Sequence, residues 1–129
     1  MAAYTIRLND IDAAGVVFAA RICAIAHECY EEDLAAAGLP LATLLAEGAC
    51  LLPLVRLEAD FRAPLRHGDR VTTAYTVELG PDRYQIAIEL RLANDRPAAR
   101  VNQFHRCLSA TRQPLELPPA VRTALERLA

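Results

Sequence analysis

The sequence has no apolar run approaching the ~18 residues of a membrane-spanning helix, no clustered basic excess and no paired-cysteine spacing. Each absence removes a class of function. With a net charge of -2 and a pI near 5.9, the chain lacks the basic footprint that nucleic acid requires, and a polyanionic ligand would have to be met by a local group of arginines. Cys23, Cys29, Cys50 and Cys107 are scattered without a C-x-x-C spacing, and no secretory or targeting segment precedes the first predicted strand. They therefore read as reduced core thiols, and the cytosol is the expected compartment. Ser109 is the only serine and has no nucleophile-elbow context, which counts against a serine-triad hydrolase. No three-ligand cluster suggests a metal, no cofactor is implied, and no repeat or low-complexity segment divides the chain.

What remains is a short, alanine-rich chain. Its 129 residues, 53% of them hydrophobic, suffice for one core, so residues 1–129 read as a single domain with a limited surface that favours an oligomer. Alternation over Tyr4–Leu8 predicts a first strand. Apolar residues at three- and four-residue steps predict a long helix over about Ala19–Ala37, closed by Gly38 and Pro40. A short helix over Leu41–Glu47 stops at Gly48, and the period then changes to two. Val55–Arg62, Val71–Leu79 and Tyr84–Leu92 alternate, each with one buried face, and turn signals at Pro64–Asp69, Gly80–Asp82 and Asn94–Pro97 space them like hairpins. A last strand over Ala98–Ala110 is interrupted by Asn102, Gln103, His105 and Arg106, as if part of it faced a subunit interface. Three prolines then lead to a terminal helix over Ala120–Ala129. The expected class is α+β: one long helix against a curved antiparallel sheet.

The segment Arg7–Phe18 carries the chemistry. Asp10 and Asp12 lie in a stretch too polar for core, Gly15 permits a turn that other residues resist, and the amides opening the next helix can hold developing negative charge. A carboxylate facing such an oxyanion site is one way to hydrolyse an ester or thioester. The bland alternative is that an Asp before a helix is a cap or loop residue. An ordinary Asp is already ionised at neutral pH, whereas two carboxylates facing one site would raise each other's pKa.

The run Asp10-x-Asp12-x-x-Gly15-Val16-Val17-Phe18 is joined by His27-Glu28-Cys29-Tyr30-Glu31, Leu52-Pro53-Leu54-Val55, Asp60-Phe61-x-Ala63-Pro64 and Gly68-Asp69-Arg70. This set resembles the hotdog-fold 4-hydroxybenzoyl-CoA thioesterase-like family over nearly the whole chain, and in combination it is most similar to the cyanobacterial 1,4-dihydroxy-2-naphthoyl-CoA hydrolases. The resemblance implies a curved sheet wrapped around a central helix, pairing of sheets edge to edge, and a homotetramer built as a dimer of dimers. It implies an acyl-CoA substrate, hydrolysed to 1,4-dihydroxy-2-naphthoate and CoA in phylloquinone (vitamin K1) synthesis. By the same resemblance Asp12 is the nucleophile or general base, Asp10 shapes the loop, and the backbone amide of Ala19 holds the oxyanion. Gly15, Val17, Leu52 and Pro53 would line the substrate, and Arg83 would meet the nucleotide end of CoA ahead of Arg62, Arg66, Arg70 and Arg96. An Asn common in the family after the oxyanion position is replaced here by Ala20.

Other readings stay open beside this one. His27 lies two turns into the helix from Ala19 and pairs by spacing with Glu31, so it reads as a surface or interface contact. His67 and His105 read as structural. The alternatives to the naphthoyl substrate are a broader aromatic or short-chain acyl-CoA thioesterase and a non-catalytic acyl-CoA-binding module. A dehydratase is weaker because its helix-borne acid and catalytic histidine are not recognisable.

Overall fold

The computed structural model describes residues 2–129. Five strands and three helices follow in the order β1 (Ala3–Thr5), α1 (Ala19–Ala36), α2 (Leu41–Glu47), β2 (Leu54–Phe61), β3 (Arg70–Leu79), β4 (Arg83–Arg91), β5 (Pro97–Arg106) and α3 (Pro119–Leu128), with a 3-10 turn at Leu8–Asp10. The strands form one curved antiparallel sheet in the order β1-β3-β4-β5-β2.

α1 is held by its buried stripe: Ile22, Ile25, Ala26, Cys29, Tyr30, Asp33 and Leu34. The stripe meets Ile86, Ile88 and Leu90 of β4 and Val101 of β5 in one apolar cluster. Each large aliphatic side chain lost wholly from water contributes about 1.5–3 kcal/mol. Asp33, buried on that stripe, accepts hydrogen bonds from the Thr73 hydroxyl at 2.7 Å, from the Tyr75 hydroxyl and from the Ala2 amide, which ties the helix to β3 and to the segment entering β1. Beyond the helix Gly38 takes φ +106, and the Leu39 amide returns to the Leu34 carbonyl at 3.0 Å. α3 buries Val121, Ala124 and Leu125, and its Arg122 and Arg127 donate to the Gly80 and Ala37 carbonyls at 2.9 Å.

The helices and the strands β2, β3 and β4 fall along the chain where the periodicity predicts, and α2 has the predicted bounds. Three expectations are corrected. The first strand ends at Thr5 rather than Leu8, because the Asp10 carboxylate takes the Arg7 amide at 2.8 Å and folds Leu8–Asp10 into a turn. The last strand ends at Arg106 rather than Ala110, because the Cys107 amide bonds Asp82 and Leu108 bridges Leu51. β2 is neither hairpin-paired to β3 nor buried on one face: it crosses the sheet to pair with β5, from Leu54 opposite His105 to Phe61 opposite Ala99. At that edge Leu54, Val55, Leu57 and Phe61 remain 41–54% exposed.

Candidate functional site

Asp12 sits at the foot of a tight loop. Its amide bonds the Val16 carbonyl and its carbonyl takes the Gly15 amide, both at 3.0 Å, while Ile11 and Val17 bridge across the base. Gly15 makes this closure possible with φ +80, a region that favours glycine; the space around it is open. The Asp12 side chain is exposed, and its Oδ1 accepts the Ala14 amide at 2.8 Å. The loop thus presents a carboxylate to solvent on a fixed backbone.

Asp10 is different. It is fully buried, and its two oxygens take Arg21 Nε at 2.7 Å, the Tyr4 hydroxyl at 2.8 Å and the Arg7 amide. Burial alone would push this carboxyl up, but those three donors outweigh it and hold it below the usual range. Arg21 continues to Glu28 at 2.8 Å, so one side chain clamps the loop onto the first turns of α1.

α1 opens without a side-chain cap at Phe18, and its first intrahelical bond is the Ile22 amide to the Phe18 carbonyl at 3.0 Å. The amides of Ala19, Ala20 and Arg21 therefore lie outside the helical ladder, at the positive end of the helix. Ala19 lines a cavity of about 320 Å3 with Val16, Val17, Ile22, Phe61 and Arg62.

Leu52 does not share that cavity. It borders a second one of about 410 Å3, with Cys23, Ala24, His27, Leu54, Leu57, Gln103 and His105, and it shares a third with Pro53, Leu51, Leu108 and Arg112. Of the expected group, Leu52 and Pro53 thus share a cavity and Val17 lines a different one, while Asp12 and Gly15 line none of these cavities. The eight residues of β2 lie between the two: its Phe61 end lines the cavity of Val17, and its Leu54 end follows Leu52–Pro53.

The second cavity has a polar floor that sequence reasoning missed. The Gln103 side-chain amide, fully buried, stands 2.9 Å from His27 Nδ1 and 2.9 Å from His105 Nε2, and His105 Nδ1 stands 3.0 Å from the Leu52 carbonyl oxygen. His105 also stacks on Tyr84 with ring centroids 4.7 Å apart, and the Tyr84 and Tyr30 hydroxyls meet at 2.5 Å. His27 is thus engaged by Gln103, and among the described residues no ion pair joins it to Glu31. Gln103 and His105 were legible as inward residues, since they continue the alternation of Ala99 and Val101.

Of the candidate arginines, Arg62 alone shares the Ala19 cavity. Arg66, Arg70 and Arg96 lie exposed on turns and a strand end, away from the cavities described. Arg83 pairs with Asp82 at 2.9 Å and borders an outer-face cavity of about 430 Å3 that also holds Arg56, Phe104 and Arg106. Arg83 and Arg106 are direct cross-strand partners, a like-charge pairing that an anion relieves. Ser109 is spent on a turn with Thr111 and Gln113, and His67 is exposed. All four cysteines are free; burial pushes the Cys29 thiol up to about 11 and the Cys107 thiol up to about 12. Among the described residues, no helix is long and apolar enough to cross a membrane.

Comparison with known proteins joins this geometry to a family. A solved structure of a 1,4-dihydroxy-2-naphthoyl-CoA thioesterase from Synechocystis superposes with a TM-score of 0.89 at 31% identity, covering 98% of this chain and 95% of that one. Relatives named 1,4-dihydroxy-2-naphthoyl-CoA hydrolase include one from Synechococcus elongatus, 38% identical over 94% of this chain and 90% of its own. Another, from Picosynechococcus, is 38% identical over 94% of this chain and 88% of its own. The architecture is the α+β hotdog fold. With the family model of the thioesterase-like superfamily matching residues 6–125, the chain belongs to that superfamily.

Proposed function

We propose that this protein, acting as one domain over its whole length, hydrolyses an aromatic acyl-CoA thioester, with 1,4-dihydroxy-2-naphthoyl-CoA as the substrate. One observation carries the reading: relatives bearing that activity in their names align with 94% of the chain. In a cell that makes phylloquinone (vitamin K1), the reaction would supply its naphthoate precursor. The cytoplasm is the proposed location.

The chemistry follows from the two features beside each other in sequence. The thioester carbonyl rests against the Ala19 amide, where the uncapped helix end stabilises negative charge as the carbonyl carbon becomes tetrahedral. Asp12 either attacks that carbon, forming an anhydride that water opens, or takes a proton from the attacking water. Either route ends with the C–S bond broken, a proton delivered to the CoA thiolate and the free acid released. Gly15 and Val17 shape the loop beside the reacting carbonyl, Leu52 and Pro53 contribute apolar surface for the ring, and Arg83, with Arg106 beside it, takes the CoA phosphates.

The reading includes a homotetramer. Support comes from the exposed β2 edge and from the separation of Leu52 from the cavity at Ala19 within one protomer, which lets a partner complete the site. The test is thiol release from naphthoyl, benzoyl and short aliphatic CoA thioesters. The dihydroxynaphthoyl compound should lead in kcat/KM by about tenfold or more, since burying a second ring is worth roughly 1–2 kcal/mol. A preference for aliphatic chains would instead favour the broader thioesterase, and tight acyl-CoA binding without turnover would favour a non-catalytic module.

A further inference from the structure

The chain from Leu52 through His105 and Gln103 to His27 has only one self-consistent arrangement of hydrogens when its rings are neutral. A carbonyl oxygen only accepts, so His105 Nδ1, 3.0 Å from the Leu52 oxygen, carries a hydrogen. Burial lowers the His105 pKa more than the Leu52 hydrogen bond raises it, so the ring is neutral and its Nε2 must accept. The structure sets Gln103 Nε2 toward His27 Nδ1 and Gln103 Oε1 toward His105 Nε2, each at 2.9 Å; a neutral His105 requires the two amide ends exchanged, with the NH2 facing His105 Nε2 and the oxygen facing His27 Nδ1. Without that exchange His105 would have to be charged. His27 Nδ1 therefore donates, and Nε2 of neutral His27 is a bare acceptor. No hydrogen bond to Nε2 is made among the described residues.

That nitrogen belongs to a ring lining the cavity of Leu52, Leu54 and Leu57. The rise along α1 from Ala19 to His27 is about 12 Å at 1.5 Å per residue, shortened because helical side chains lean toward the N-terminus. This puts His27 beyond reach of a thioester carbonyl held at Ala19 and on the side where the ring bearing that carbonyl would present a hydroxyl remote from it, as at C4 of the dihydroxynaphthoyl group. A cavity with leucine walls, whose polar floor is paired internally and leaves one fixed acceptor, suits an aromatic ring bearing a hydroxyl donor.

We propose that His27 is a specificity-determining residue whose Nε2 accepts a hydrogen bond from a phenolic hydroxyl of the acyl group, with Gln103 and His105 as positioning residues that fix its tautomer. The inference rests on the aromatic acyl-CoA reading above and adds to it the group that recognises the ring hydroxyl.

The test compares 1,4-dihydroxy-2-naphthoyl-CoA with 2-naphthoyl-CoA. The unaltered protein should favour the hydroxylated substrate in kcat/KM by at least about tenfold, as sites built to bind a hydroxyl discriminate against its loss. In His27→Phe the ratio should fall to within about twofold, and His27→Gln, whose amide oxygen can stand in for Nε2, should recover part of it. Equal losses on both substrates, with the ratio intact, overturn the proposal. A measurement that needs no variant guards against misfolding: 15N spectra of the histidine-labelled protein should show neutral His27 protonated at Nδ1, and a hydrogen on Nε2 overturns the proposal. If the unaltered protein released thiol from no aromatic CoA ester, the hydrolase reading would fall. Binding of the free acids would still decide the inference, tighter binding of the hydroxylated acid supporting it and equal binding overturning it.

Discussion

The Arg21 guanidinium donates to the buried Asp10 carboxylate at 2.7 Å, joining the first turn of α1 to the loop that carries Asp12. The pair gives the two aspartates separate work: Asp10 is consumed in holding the loop, which leaves Asp12, two residues on, as the exposed carboxylate.

Asp10→Asn should cost about 3 kcal/mol, as expected when a buried ion pair loses one partner. The folded Asp10 carboxyl lies below its unfolded value, so its stabilisation is present above about pH 4 and is lost as pH falls through the folded pKa. Urea midpoints measured between pH 3 and 7, values that are roughly the carboxylate range, should fall toward acid in the unaltered protein and fall less in Asp10→Asn. Parallel curves for the two proteins would remove Asp10 from this role.

Asp12→Asn should lower turnover by about a hundredfold or more with the fold intact, since the amide has neither basicity nor anionic nucleophilicity. Asp10→Asn should lower it less. Near-normal thiol release by well-folded Asp12→Asn would refute the mechanism.

All four tyrosines should resist ionisation. Burial raises Tyr30 to about 12 despite the Tyr84 hydroxyl, and it raises Tyr84, Tyr75 and Tyr4 as well; Asp33 and Asp10 add to the effect on the last two. Because the folded values exceed the unfolded one near 10, their stabilisation is complete below that pH and is lost as pH rises through the folded values. Ultraviolet titration of tyrosinate should show a late, cooperative rise coincident with loss of helical circular dichroism. A gradual rise near the free-tyrosine pKa in a still-folded protein would contradict the buried hydroxyl pairing.

Light scattering should give a multiple of the 14.1 kDa protomer mass, and Leu57→Glu on the exposed edge should shift the distribution toward smaller species. A stable monomer at micromolar concentration would sink the shared-site arrangement.

The elements were legible in the sequence because burial leaves a period: the α1 stripe, the alternation of Tyr84 to Leu90, and Gly48 after the short helix all report a local environment. Strand order was not. Alternation in Val55–Arg62 correctly marked a strand, but the same pattern arises in a strand that awaits a partner molecule, and nothing in it names β5 as its neighbour. The site was legible in part. Asp10, Asp12, Gly15 and Ala19 are close in sequence and came out as one loop and helix start. The His27–Gln103–His105 chain spans the domain, and polar residues on β5 suggested an interface when two of them point at the helix.

The place of β2 also sets an order of events in folding. β3, β4 and β5 join through two short hairpins, whereas β2 must close a long loop over both before it meets β5. Emerging first of the four during synthesis, it is the last able to pair, and Leu57 and Phe61 spend that interval uncovered. The nascent chain is therefore most vulnerable to misassociation while this strand waits for β5.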